Sequence, residues 1–204
     1  GASAGGLSAL EAFFAQLPLD TDCAYVVVQH MGPDHPSLLG TLLQRVTALP
    51  VSDAQDGVVL APNTVHVMPC DGALTVVRGC LHFIATPQAA SAPLVIDAFL
   101  TSLAQDQGCR AVGVVLSGMG RDGVLGLQAI HNGGGLTLAQ QPDTAAFASM
   151  PQSAIDAQCV DVVAPPQDMP AKLVQCLQAP KPKAASTQPP SKTSDASKPA
   201  QTIV

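Results

Sequence analysis

The stretch Ala111-Val112-Gly113-Val114-Val115-Leu116-Ser117-Gly118-Met119-Gly120-Arg121-Asp122-Gly123 decides the fold. Its first six residues are apolar with no polar alternation, the pattern of a strand buried on both faces. The next seven form a glycine-rich turn, and Val124, Leu125, Leu127 and Ile130 behind it read as a helix. Strand, turn and helix in that order are half of a βαβ unit. In open parallel sheets, chemistry gathers outside the carboxyl ends of the strands. Asp122 stands in that position, between Gly120 and Gly123.

Two other turns are built alike. Gly1-Ala2-Ser3-Ala4-Gly5-Gly6 precedes Leu7, Leu10, Phe13, Phe14 and Leu17 at helical spacing, and Pro18 ends that helix. Ala24-Tyr25-Val26-Val27-Val28 reads as a central parallel strand that ends at Gln29-His30-Met31, and Gly32-Pro33 breaks the chain after it. Ser37 is expected to cap a helix with Leu38, Leu39, Leu42, Leu43 and Val46 on its buried face. Between residues 51 and 84 the apolar runs are short, and Asp56-Gly57, Asp71-Gly72 and Arg78-Gly79 separate several of them, which is hairpin chemistry. Helical spacing returns over residues 94–105. After the deciding stretch, Asn132-Gly133-Gly134-Gly135 stops a helix. A strand at 136–140, a helix from Met150-Pro151, a strand at 160–163 and a helix at 169–177 complete the pattern. The class is α/β: a doubly wound, mostly parallel sheet with helices on both faces and an antiparallel hairpin edge.

Residues 1–178 form the expected domain. The chain opens on a turn motif, so the strand feeding that turn is expected upstream of the residues given. Residues 179–204 are rich in Pro, Lys, Ser, Thr and Ala without periodicity, and they read as a disordered linker. Charge divides at the same boundary: residues 1–178 hold 5 basic and 14 acidic groups, or −9, whereas residues 179–204 hold 4 Lys and 1 Asp, or +3. A domain this acidic and poor in Arg is not built to grip nucleic acid through phosphates. No apolar run approaches the ~20 residues of a membrane-spanning helix, so no membrane insertion is expected. The six cysteines show neither a C-x-x-C pair nor a zinc spacing, and they read as buried intracellular thiols.

Three strand-end turns therefore offer Ser3, His30 and Asp122. A serine hydroxyl needs an adjacent base to act as a nucleophile near neutral pH. An imidazole can take that proton and return it to a leaving group, and a carboxylate can fix the imidazole's tautomer. The amides near Ala4 and Gly5, at a helix start, could hold an oxyanion. Each piece alone has a plainer reading. The Gly-rich turn could be structural or a phosphate cradle, His30 a hydrogen-bonded strand-end residue, and Asp122 a cap on the helix that follows it. Their joint placement favours the catalytic reading.

Gly1-Ala2-Ser3-Ala4-Gly5-Gly6, Gln29-His30-Met31 and residues 117–123 together resemble the catalytic domain of chemotaxis receptor methylesterases of the CheB type. The likeness covers nearly all of residues 1–178 and takes in Asp56-Gly57, Gly133-Gly134-Gly135, Ala139-Gln140 and Met150-Pro151. The resemblance implies a cytoplasmic protein-glutamate methylesterase that needs no cofactor. It would hydrolyse γ-glutamyl methyl esters on receptor cytoplasmic helices and release methanol. Ser3, His30 and Asp122 match the family's catalytic positions, and Met119 matches a residue beside the site whose N–H helps hold the oxyanion. Many members carry Thr where this chain has Ala4. Residues 96–100 and 102–104 look most like hybrids in which such a domain is joined to a methyltransferase, and the linker-like tail fits that picture.

Other readings are weaker. A dinucleotide-binding domain wants an acidic residue at the end of the next strand, where this chain has Gln29-His30. A metal site on His30 and His35 lacks a third ligand. Cys70 has no base placed for it, and His66, His82 and His131 lie on strands or a helix face. A non-enzymatic module that senses receptors or another partner is opposed by the intact Ser/His/Asp set. Glutamine deamidation needs the same acyl chemistry with ammonia leaving, and the sequence does not separate it from ester hydrolysis.

Overall fold

A computed structural model describes residues 1–29, 38–70, 72–85, 94–178 and 201–203. In chain order the elements are α1 (Gly6–Ala15), β1 (Cys23–Val27), α2 (Leu39–Val46), β2 (Val51–Asp53), β3 (Val65–Val67), β4 (Gly72–Val77) and β5 (Cys80–Ala85). Then come α3 (Val95–Gln107), β6 (Val112–Val115), α4 (Val124–Asn132), β7 (Leu136–Gln140), α5 (Ser149–Asp156), β8 (Val162–Ala164), α6 (Met169–Gln178) and β9 (Gln201–Ile203). Seven strands form one sheet in the order β2-β3-β1-β9-β6-β7-β8, and every pair within it is parallel. The class expected from the sequence is the class observed.

The two-residue period of a strand sends neighbouring side chains to opposite faces, and β1 shows the consequence. Tyr25 and Val27 enter one core with Leu10, Phe13 and Phe14 of α1, Leu43 of α2 and Leu173 of α6. Val26 enters the other with Phe99 and Leu103 of α3, Leu127 and Ile130 of α4, and Met150 of α5. Both faces of the strand are thus covered by helices. That is why β1 and β6 read as unbroken apolar runs: every residue of both is buried.

Three details differ from the sequence reading. First, β2 and β3 were expected among the hairpins, yet they join the main sheet in parallel, with Val51 opposite Val65 and Tyr25 opposite Val65. Second, the antiparallel pair is not an edge of that sheet. β4 and β5 form a separate two-stranded sheet whose Leu74, Val76 and Leu81 pack into the core beside α3. Side chains of α3 hold its backbone. Ser102 Oγ accepts from Val76 N at 3.0 Å, and the Asp106 carboxylate accepts from Arg78 N and Gly79 N. Turn chemistry reveals that two strands are antiparallel, but not which apolar surface will cover them. Third, Gln201–Ile203, inside the expected linker, form β9 between β1 and β6, with Ile203 opposite both Tyr25 and Val112. Ile203 is 2% exposed and belongs to the first core. A single apolar, β-branched residue inside a Pro- and Lys-rich segment is too short a pattern to read as a strand. The helix cap expected at Ser37 lies outside the described residues.

Helices α3 and α4 approach closely at Gly126. A Cβ there would fall 2.2 Å from Leu100 Cβ, a contact that only backbone movement can relieve. Gly126→Val is therefore expected to destabilise the domain by about 3 kcal/mol, at the upper end of overpacking penalties, even though leaving glycine returns up to about 1 kcal/mol of helix propensity. A urea titration reads this as a lower midpoint with the same slope. A wild-type midpoint would show that the helices separate freely at this point. Among the described residues, no helix is long and apolar enough to cross a membrane.

Candidate active site

The turn carrying Ser3 is seated between the carboxyl ends of β1 and β6. Gly1 lies against β6: its nitrogen donates to Val114 O at 2.6 Å and its carbonyl accepts from Leu116 N at 2.9 Å. Ala2 faces β1, donating to Val28 O at 3.0 Å and bridging Gln29 in parallel. Ser3 N then donates to Ser117 O at 3.0 Å. The chain reverses into α1 through Gly5, whose φ of 67° is left-handed and suits glycine. That position is also crowded, since a Cβ would meet Ala146 Cβ at 2.6 Å and Ser117 Oγ at 3.0 Å. Gly6 N donates to Ser3 O at 3.0 Å, so this carbonyl points into the turn. The Ala4 N–H of the same trans peptide must point the other way.

The deciding stretch of the sequence supplies the opposite wall. A Cβ on Gly118 would stand 3.0 Å from Ser3 Cβ and 2.5 Å from Met150 Cε, so only glycine lets this loop lie against the serine. Gly118 is tied by backbone bonds to Phe147 and Met150. Met119 is 61% exposed. Among the described residues, the amides of Ala4, Gly5 and Met119 donate to no protein acceptor, while those of Ser3, Gly6, Gly118 and Gly120 all do. The three oxyanion candidates are thus among the donors at this junction that have no acceptor among the described residues.

Asp122 lies at the far end of the loop. It does not cap α4, the helix that follows it. Its Oδ2 accepts from Ile96 N at 3.1 Å and its Oδ1 from Asp97 N at 2.9 Å, so it caps α3 instead. Asp97 answers with a cap on α4, its Oδ1 accepting from Gly126 N at 2.9 Å. Burial pushes the Asp97 carboxyl up from its ordinary value, and the negative charge of Asp122 adds to the effect. His30 and His35 lie outside the described residues. The structure therefore brings Ser3 against the loop that carries Asp122, whereas the contact of the imidazole with either group is not described.

Sequence reasoning missed a layer beneath the turn. Ser117 is 1% exposed, and its hydroxyl contacts both Ala4 and Phe147. Gln140, at the end of β7, accepts from Ser117 N at 2.8 Å through Oε1 and donates to Thr144 O at 3.0 Å through Nε2. Phe147 is 43% exposed and lies over the serine turn, its ring 3.1 Å from where a Gly5 Cβ would be. One signal was legible. An amide side chain ending a buried strand is costly without partners, and Gln140 follows Leu138-Ala139 directly. Nothing in the sequence marked Phe147.

Fold and site define a doubly wound α/β domain whose glycine-rich serine turn, at a helix start, opens at the carboxyl edge of a parallel sheet. The chain belongs to the CheB methylesterase family, whose model matches residues 1–173. It is similar to the protein-glutamate methylesterase/protein-glutamine glutaminase of Geobacillus kaustophilus, 36% identical over 183 residues, which are 87% of this chain and 52% of that protein. A protein of the same name from Pyrococcus horikoshii is 32% identical over 181 residues, 87% of this chain and 49% of that one. The crystal structure of the Thermotoga maritima CheB methylesterase catalytic domain matches with a TM-score of 0.79 and 29% identity, covering 86% of this chain and 95% of that one. The chain spans about half the length of the curated relatives it matches.

Proposed function

We propose that this chain is the hydrolytic domain of a protein-glutamate methylesterase acting on chemotaxis receptors. The observation that carries the reading is the seat of Ser3, between two strand ends and beside three amides with no acceptor among the described residues. In this mechanism His30 takes the Ser3 proton as Oγ attacks the γ-carbonyl of a methylated glutamate. The new oxyanion rests on the amides of Ala4, Gly5 and Met119. His30 then protonates the departing methoxide, and methanol leaves. Water, deprotonated by His30, attacks the acyl-serine, and His30 returns the proton to Ser3 Oγ as the free glutamate leaves. Asp122 holds the imidazole's tautomer and balances its charge. Its fixed position on the first turn of α3 supports that role, because a carboxylate bonded by two backbone N–H groups cannot swing away.

The names of the relatives favour a second activity at the same serine: hydrolysis of a receptor glutamine side chain, with ammonia in place of methanol. The substrate would lie on receptor cytoplasmic helices, and the protein would work in the cytoplasm. Residues 1–178 would form the catalytic unit, and the sequence pattern at residues 96–104 supports a methyltransferase partner in the same polypeptide. The direct experiment incubates the protein with a methylated receptor fragment and quantifies methanol. Release above the spontaneous rate is expected, and a folded protein that releases none would refute the reading. Ammonia from an unmodified glutamine fragment measures the second activity.

A further inference from the structure

We propose that Ser117, through its buried hydroxyl, is a positioning residue for the oxyanion site. The inference rests on the hydrolase reading of Ser3 and deepens it. Ser117 Oγ lies 2.9 Å from Ala4 O, 3.5 Å from Phe147 O and 3.0 Å from Phe147 N. A hydroxyl carries one proton. Phe147 O already accepts from Gly118 N at 3.0 Å, so the proton goes to Ala4 O, the nearer acceptor. A lone pair of Oγ receives the Phe147 N–H.

The consequence lies one bond away. In a trans peptide the carbonyl and the following N–H are antiparallel and share a plane. Holding Ala4 O down onto the buried Ser117 therefore turns the Gly5 N–H up and away from it, toward the open side of the turn. Gly5 would otherwise be the least restrained residue there, since glycine spans the widest backbone range. Ser117 is itself fixed at both ends: its N–H donates to Gln140 Oε1 at 2.8 Å, and its carbonyl accepts from Ser3 N at 3.0 Å. One residue thus holds the nucleophile's backbone with its main chain and the adjacent peptide with its side chain. Preorganised donors of this kind act because they need no reorientation as charge develops.

The test compares Ser117→Ala with wild type on the methylated receptor fragment, together with the inhibition constant of a small alkyl boronic acid, which forms a tetrahedral adduct on an active serine. Losing one oxyanion donor typically costs about 10²–10³-fold in kcat, so a donor left in place but unaligned is expected to cost roughly 10–100-fold. KM should stay within about twofold, because ground-state binding does not use the oxyanion contact. The boronic acid should weaken by the same factor as kcat/KM. Ile130→Val, a fully buried core change remote from the turn, controls for simple loss of stability and should keep the wild-type kcat. Ser117→Cys keeps a weak donor and should fall between wild type and Ser117→Ala. It also decides the matter if the alanine variant does not fold. Wild-type kcat and boronate affinity in folded Ser117→Ala or Ser117→Cys would overturn the proposal alone. Absence of Ser3-dependent release in the wild-type protein would overturn the site reading and this proposal with it.

Discussion

Ser3→Ala is expected to lower methanol release about 10⁶-fold, the loss found when a serine nucleophile is removed from a triad. Its melting temperature should match wild type. Both halves follow from the geometry. The backbone of Ser3 does the structural work, with its N–H on Ser117 O and its carbonyl on Gly6 N, and the substitution leaves those bonds in place. Its side chain is half-buried and has no partner among the described residues, so truncation should fall within the ±0.5 kcal/mol common for such sites. A fluorophosphonate probe should label wild type on Ser3 and leave the variant unlabelled. Labelling of Ser3→Ala at the wild-type rate would move the nucleophile elsewhere, and undiminished methanol release would end the triad reading.

Asp122 is expected to show two separable losses. Asp122→Ala deprives Ile96 N and Asp97 N of their shared acceptor, and losing a helix cap costs about 0.5–2 kcal/mol. Asp122→Asn keeps one carbonyl oxygen for one of those N–H groups, so it should retain part of that stability. Rate should not follow the same order. An amide cannot stabilise an imidazolium as a carboxylate does and can impose the wrong tautomer, a change worth about 10⁴ in kcat in serine triads. Both variants should therefore lose about 10³–10⁴-fold in kcat. Urea midpoints and turnover measured on the same samples separate the effects. Wild-type kcat in Asp122→Asn would reduce Asp122 to a helix cap and remove it from the chemistry.

The turns that carry Ser3 and Asp122 were legible because glycine-rich turns obey local rules. Glycines surround Ser3 and precede Asp122 because the backbone bends sharply or approaches closely there, and Gly5 and Gly118 show both needs. Of the support beneath the turn, only Gln140, an amide that ends a buried strand, carried a signal in the sequence. Ser117 and Phe147 are ordinary residue types whose role arises only when β6, β7 and the chain before α5 converge. Even Asp122, found as a strand-end acid, carries a bond pattern that its plainer local reading, a cap on the helix that follows, would place on another helix. Its caps lie 25 and 26 residues back in the chain.

The sequence by itself determined the layered α/β class, because unbroken apolar runs at β1 and β6 demand cover on both faces, and helical spacing between strands supplies it. It also pointed to the strand ends as the place to look for reactive groups, since a strand followed by a glycine-rich turn and a helix has one open end. Only the tertiary structure decided which strands are neighbours, that the hairpin leans on α3 instead of extending the sheet, and that Gln201–Ile203 take a central place beside the serine turn. The physical reason is range. Period, turn type and cap chemistry are written within a few residues, whereas strand order and the second layer of a site depend on the fit between surfaces far apart in the chain.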